Sequence, residues 1–65
     1  MEIQEILDKL GNEFYEVKRL INPTPFGGYC AYSIEERALG KTFKEALENL
    51  LKIVEKKRND KVYES

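Results

Sequence analysis

Residues 27–49 read GGYCAYSIEERALGKTFKEALEN, and the order of elements that this stretch predicts decides the fold. Two glycines precede an alternating, tyrosine-rich run at 29–36, which is typical of a β-strand. Residues 37–41 predict a short third strand or a corner. Gly28 and Gly40 are expected to permit the turns into the strand and into the helix that follows.

The helix that starts here has the clearest pattern in the chain. Thr42 is its predicted N-cap, and Glu45 completes a capping box, since these two residue types three positions apart satisfy free backbone N–H groups. Apolar residues then recur at helical spacing, at Phe43, Ala46, Leu47, Leu50, Leu51 and Val54. This stripe predicts a helix with one buried face, ending near residue 57 and followed by a frayed tail over 58–65.

Two elements precede the stretch. Residues 2–11 predict a short helix with Gly11 as a left-handed stop, because apolar residues follow the i, i+3, i+4, i+7 spacing. Those residues are Ile3, Ile6, Leu7 and Leu10. Residues 13–21 (EFYEVKRLI) predict a strand, and the proline- and glycine-containing segment 22–28 predicts a hairpin connection.

Alternation along the first strand divides its side chains between two faces. We expect the more apolar face, with Tyr15, Val17 and Ile21, to be buried. Phe14 and Leu20 are expected on the opposite face, which also carries the charged residues of 16 and 18.

The predicted fold class is α+β, in a single domain over 1–65. An antiparallel sheet of two or three strands carries the long C-terminal helix on one face, beside a short N-terminal helix. The division is 1–12 for the N-terminal helix, 13–57 for the core and 58–65 for the tail. A chain of 65 residues is near the lower limit for folding alone, and one cysteine cannot form an internal disulfide. We therefore expect a homodimer, formed through a strand edge.

The composition argues against catalysis and against a bound metal or cofactor. The chain has no histidine, so the commonest general base is missing. Asp8 and Asp60 are its only aspartates, near opposite ends of the chain, and adjacent Glu35 and Glu36 in a strand would point to opposite faces. Cys30 is predicted to be a buried, reduced apolar residue rather than a reactive thiol.

Charge and hydropathy indicate the kind of partner. Eleven basic and twelve acidic residues give a net charge of −1, which disfavours nucleic-acid binding. The basic run at Lys52, Lys56, Lys57, Arg58 and Lys61 suits a solvated helix end better than a phosphate site. No apolar run reaches the ~18 residues of a membrane span, and we expect a cytoplasmic protein.

The order of these motifs resembles the HicB-like antitoxin domain over residues 13–55. The matching residues are Gly27, Gly28, Tyr29, Ala31, Tyr32, Gly40, Thr42, Glu45, Ala46, Leu47 and Asn49. Eight residues are predicted to define the fold: Gly27, Gly28, Gly40, Thr42, Glu45, Ala46, Leu47 and Leu50.

The resemblance implies a non-catalytic protein with a reduced ribonuclease-H-like βββα core. Members of the family commonly dimerise and occlude a small toxin ribonuclease, and many carry a C-terminal DNA-binding segment. This chain departs from the family in its added N-terminal helix and in the shorter corner at 33–41. We do not expect operator binding, because the tail after Lys57 is too short for a DNA-binding domain.

The predicted function is therefore a protein-binding module, a HicB-like antitoxin or inhibitor. Its predicted contact residues are Tyr15, Tyr29, Tyr32, Glu35 and Arg37. The three tyrosines would either cluster as an exposed surface on the sheet or pair across strands beneath the helix. One alternative is a double-stranded-RNA-binding-like module, since residues 40–54 also resemble the last helix of that domain. Another is a phage- or plasmid-encoded inhibitor of a host protein.

Overall fold

Three strands form one antiparallel sheet, with a helix before it and a helix after it. A computed structural model describes residues 2–25 and 27–64, without the side chains of residues 23, 24 and 60–64. In chain order the elements are α1 (Ile3–Leu10), a 3₁₀ turn (Gly11–Glu13), β1 (Phe14–Thr24), β2 (Gly27–Ser33), β3 (Arg37–Gly40) and α2 (Phe43–Glu64). The strand order is β1-β2-β3. The predicted α+β class is confirmed.

One apolar core joins all the elements. Its buried residues are Ile6, Leu10, Ala31, Ala38, Ala46, Leu47, Leu50, Leu51 and Val54. The stripe predicted for α2 supplies five of them, so its buried face is confirmed from residue 46 onward. Phe43 lies at the rim with its side chain 41% exposed, and its ring meets that of Tyr29 edge-on, with the centroids 6.4 Å apart.

The start of α2 follows the prediction, but its end does not. The Thr42 hydroxyl accepts a hydrogen bond of 3.0 Å from the backbone N–H of Glu45, which confirms the N-cap. The sequence pattern predicts an end near residue 57, whereas the helix continues to Glu64. Ser65, the last residue of the predicted tail, lies outside the described residues.

A bulge near the start of β1 makes its predicted faces partly wrong. Two steps along β1, from Phe14 to Glu16, match a single step along β2. The extra residue reverses the alternation, so that Phe14 and Val17 both pack against the core. Tyr15, predicted to be buried, is 71% exposed.

A second irregularity explains the other error in β1. Arg19 pairs with Tyr29 and Thr24 pairs with Gly27, so five steps along β1 match two along β2. Because the residues in between leave the regular register, alternation no longer predicts their faces. Ile21, also predicted to be buried, is 95% exposed.

Two glycines permit close backbone approach where β3 meets α2 and β2. A Cβ atom at Gly40 would lie 2.2 Å from the backbone nitrogen of Ala46, and one at Gly27 would lie 2.2 Å from the carbonyl oxygen of Gly40. Gly40 has no positive φ, so this position requires glycine for close packing rather than for the predicted turn. At the start of β2 the close approach falls on Gly27, one residue before the predicted Gly28.

Helix α1 packs against α2 and completes the core. Ile6 and Leu10 are fully buried, whereas Ile3, at the outer end of the predicted stripe, is 37% exposed. Gly11 ends the helix with a positive φ of 57°, but its ψ of −132° differs from that of the predicted left-handed stop. No helix within the described residues is long and apolar enough to cross a membrane.

Candidate functional site

Among the described residues, the helices pack on one face of the sheet. Val17, Ala31 and Ala38 pair across the three strands and pack towards α2. Residues opposite each other in an antiparallel pair share a face, and successive residues along a strand alternate between faces. The residues immediately before and after Val17, Ala31 and Ala38 therefore lie on the other face of the sheet. We call this second face the open face, and it carries two cross-strand rows. One row is Glu16, Tyr32 and Arg37, and the other is Lys18, Cys30 and Leu39.

Tyr32 is at the centre of the open face. The Lys18 ammonium lies 5.7 Å from the centroid of its ring, within the range of a cation–π interaction. A hydrogen bond with the Cys30 thiol is the main cause that raises the pKa of Tyr32, while the positive charges of Lys18 and Arg37 oppose that rise. The phenol therefore remains a protonated hydrogen-bond donor, flanked by two cations.

Cys30 is a free thiol and is only 3% exposed. Its prediction as a buried residue is confirmed, although it lies on the open-face side and outside the core beneath α2. Lys18 and Leu39 flank it in register. The thiol is thus part of the floor of the open face.

The predicted contact residues do not form one surface. Tyr32 and Arg37 share the open face, but Tyr29 packs against the core with Phe43, and Tyr15 is exposed at the bulge in β1. The alternative, with all three tyrosines beneath the helix, holds for Tyr29 alone. Whether these residues contact a partner stays a prediction.

A second group of charged residues lies where the 3₁₀ turn, α2 and the β2–β3 turn meet, around a cleft of about 120 Å³. Lys57 contacts the carboxylate of Glu36, and its Nζ lies 3.3 Å from Oε2 of Glu35. The prediction that the two glutamates point to opposite faces is wrong, because β2 ends before them. The Ser33 hydroxyl accepts a hydrogen bond of 2.8 Å from the Glu36 N–H and closes a turn.

Arg58 connects α2 to the end of α1. Its guanidinium donates hydrogen bonds of 3.1 and 3.3 Å to the carbonyls of Lys9 and Leu10 and contacts the Glu13 carboxylate. These are carbonyls that the end of a helix leaves without an intrahelical partner. Lys57 and Arg58 therefore serve internal contacts, which weakens the phosphate-binding reading of the basic run; the Lys61 side chain lies outside the described residues.

The Lys57 contacts predict an alkaline pH dependence of stability. Hydrogen bonding to Glu36 is the main cause that raises the pKa of Lys57 above its ordinary 10.5. The stabilisation is therefore complete below pH 10.5 and is lost as the pH rises through the raised pKa. We expect Lys57→Gln to lose stability relative to the wild type at neutral pH, and the difference to shrink above pH 10.5, in urea unfolding. Lys52→Gln, at an exposed position of the same helix, is the control; an unchanged difference at alkaline pH would contradict the assignment.

The part of the chain that the structure describes holds no group of three or more acidic or thiol side chains able to bind a metal ion. Glu35 and Glu36 are paired with a lysine instead. The Asp60 side chain lies outside the described residues.

No protein-family model, curated protein or solved structure matches this chain. The resemblance to HicB-like antitoxins therefore depends on the order and spacing of the sequence motifs.

Asn49 has a role that sequence reasoning missed. Its side-chain amide donates a hydrogen bond of 2.8 Å to the carbonyl of Leu39 in β3. The sequence carries two signals for this residue: it belongs to the matched motif, and its amide lies seven positions after the N-cap, near the buried stripe of the helix. The contact joins α2 to the last strand of the sheet.

Proposed function

We propose that this chain is a non-catalytic, protein-binding module of the HicB-like type, and that the open face of its sheet contacts the partner. The observation that supports this proposal is the placement of Tyr32 between Lys18 and Arg37 on a face that the helices leave uncovered. Tyrosine and arginine are over-represented among the residues that dominate protein–protein binding energy.

The form of the open face favours a macromolecular partner. A three-stranded sheet is a flat platform rather than the enclosed, mainly apolar cavity that small molecules usually occupy. Its charges have both signs, with Glu16 beside Lys18 at 3.6 Å, so it suits a protein surface with complementary charges. A HicB-like antitoxin would use such a surface to occlude a toxin ribonuclease.

Substitution of Tyr32 tests the proposal. Tagged wild-type protein, purified from its native host, should carry a partner in stoichiometric amount that mass spectrometry identifies. With that partner purified, we expect Tyr32→Ala to weaken binding roughly thirtyfold, as loss of an interface hot spot does. Isothermal titration calorimetry measures the loss, and an assay of the partner's ribonuclease activity tests occlusion.

Lys56→Ala is the matched control, because residue 56 is an exposed position of α2, outside the sheet. Equal affinity of Tyr32→Ala and wild type, with both folded by circular dichroism, would contradict the use of the open face. A partner without ribonuclease activity would remove the antitoxin part of the proposal and leave the docking surface.

The order α-β-β-β-α favours a second candidate, a double-stranded-RNA-binding-like module. The charges oppose it: the exposed residues of α1 include Glu5 and Asp8 against Lys9, and acids there repel phosphates. Titration with duplex RNA at low salt decides between the two, because phosphate contacts strengthen as salt falls. Salt-dependent binding there would favour the second candidate.

A further inference from the structure

The two outer strands of the sheet differ in how much free edge they offer. Strand β3 is four residues long, α2 packs closely against it, and Asn49 hydrogen-bonds its Leu39 carbonyl. Strand β1 is eleven residues long and has β2 on one side and no strand on the other among the residues described. The free edge of the sheet is therefore that of β1.

Only a short part of this edge is regular. The bulge at Tyr15 precedes it and the irregularity after Arg19 follows it, so that residues 16–19 pair with β2 without interruption. Bulges and a lysine on an edge strand are common protections against indiscriminate strand pairing. Lys18 is exposed in the middle of this segment, so an incoming strand needs an acidic residue opposite it.

We propose that a second copy of this chain supplies that strand, and that two β1 strands pair antiparallel about a twofold axis at Val17. Glu16 of each chain then lies opposite Lys18 of the other. The two residues share the open face, as their ion pair of 3.6 Å shows, and opposite residues of an antiparallel pair must share a face. The result is a six-stranded sheet whose charges alternate across the twofold axis.

The neighbouring registers lack this complementarity. An axis at residue 16 would place Glu16 opposite Glu16 of the second copy, and an axis at residue 18 would place Lys18 opposite Lys18. Like charges directly opposite each other destabilise a strand pair. A twofold axis normal to the sheet keeps the helices of both copies on the same side of it. If that axis lay between two residues, each side chain of the open face would be opposite a side chain of the core face, which antiparallel pairing does not allow. The axis at Val17 therefore satisfies both the faces and the charges.

Charge reversal tests the pairing and its register together. Glu16→Lys and Lys18→Glu each place like charges opposite each other, so we expect the dimer dissociation constant of each variant to rise on the order of tenfold. The double variant Glu16→Lys/Lys18→Glu restores complementary pairs and should dimerise like the wild type. An equimolar mixture of the two single variants should form a heterodimer for the same reason.

Analytical ultracentrifugation at low salt measures these constants, and Lys56→Glu on α2 is the matched control for a charge reversal elsewhere. A wild type that stays monomeric at hundreds of micromolar would overturn the proposal. So would single variants that dimerise like the wild type, or a mixture without heterodimer. If one single variant fails to fold by circular dichroism, the other single variant and the double variant still decide the register.

Discussion

Leu50→Ala is expected to leave much of the protein unfolded at room temperature. Leu50 is fully buried at the centre of the apolar stripe of α2, and removing a buried leucine side chain costs about 2–5 kcal/mol. At roughly 0.05–0.15 kcal/mol per residue, a chain of this size has only about 3–10 kcal/mol of stability to lose. Urea unfolding followed by circular dichroism measures the change.

Lys52→Ala is the control for this substitution, two residues along the same helix at an exposed position. Surface substitutions of this kind usually change stability by less than about 0.5 kcal/mol. If Leu50→Ala melted within a few degrees of the wild type, the packing of α2 on the sheet would have to be different.

Gly40→Ala is expected to have the second large effect. The added Cβ would meet the backbone nitrogen and Cα of Ala46 at 2.2 and 2.6 Å, distances far inside van der Waals contact. Backbone atoms of a helix cannot rotate away as a side chain can, so the first turn of α2 has to move from the sheet. Overpacking of this kind costs about 1–3 kcal/mol or more, and we expect a clear fall in the urea midpoint.

Gly11→Ala separates the clash from the general effect of losing a glycine. A Cβ added at Gly11 would meet no atom of the surrounding structure within 4 Å, and only the φ of 57° is unfavourable for alanine. With its ψ of −132° this residue lies outside the left-handed helical region, and the strain should cost about 1–3 kcal/mol. A loss at Gly40 well under about 1 kcal/mol would argue against the close approach of β3 and α2.

Local patterns predicted the helices and the strands well, because each depends on neighbours in the chain. The spacing of Ala46, Leu47 and Leu50 determines which face of α2 is buried, and the Thr42 cap has the local signature of a helix start. The faces of β1 could not be predicted in the same way. Its bulge is a property of the pairing with β2, and Tyr15 carries no local signal that it is the extra residue.

In the candidate site, too, local features follow from the sequence, whereas contacts between distant elements do not. Alternation along β2 predicts that Tyr32 lies on the other face of the strand from Tyr29 and Ala31, and the structure agrees. Which of the two faces the helix covers depends on contacts between elements far apart in sequence. Lys57 with Glu35 and Arg58 with Lys9, separated by 22 and 49 residues, are likewise contacts that no local pattern could indicate.

The hydrogen bond from Asn49 to Leu39 also makes the two edges of the sheet unequal. With the β3 flank short and bonded by its own helix at Leu39, extension of the sheet through the β1 flank would be favoured. Association through the remaining flank would be self-limiting and would close at two chains instead of growing into a filament. The short length of β3 and this hydrogen bond would together favour a finite assembly over an open-ended one.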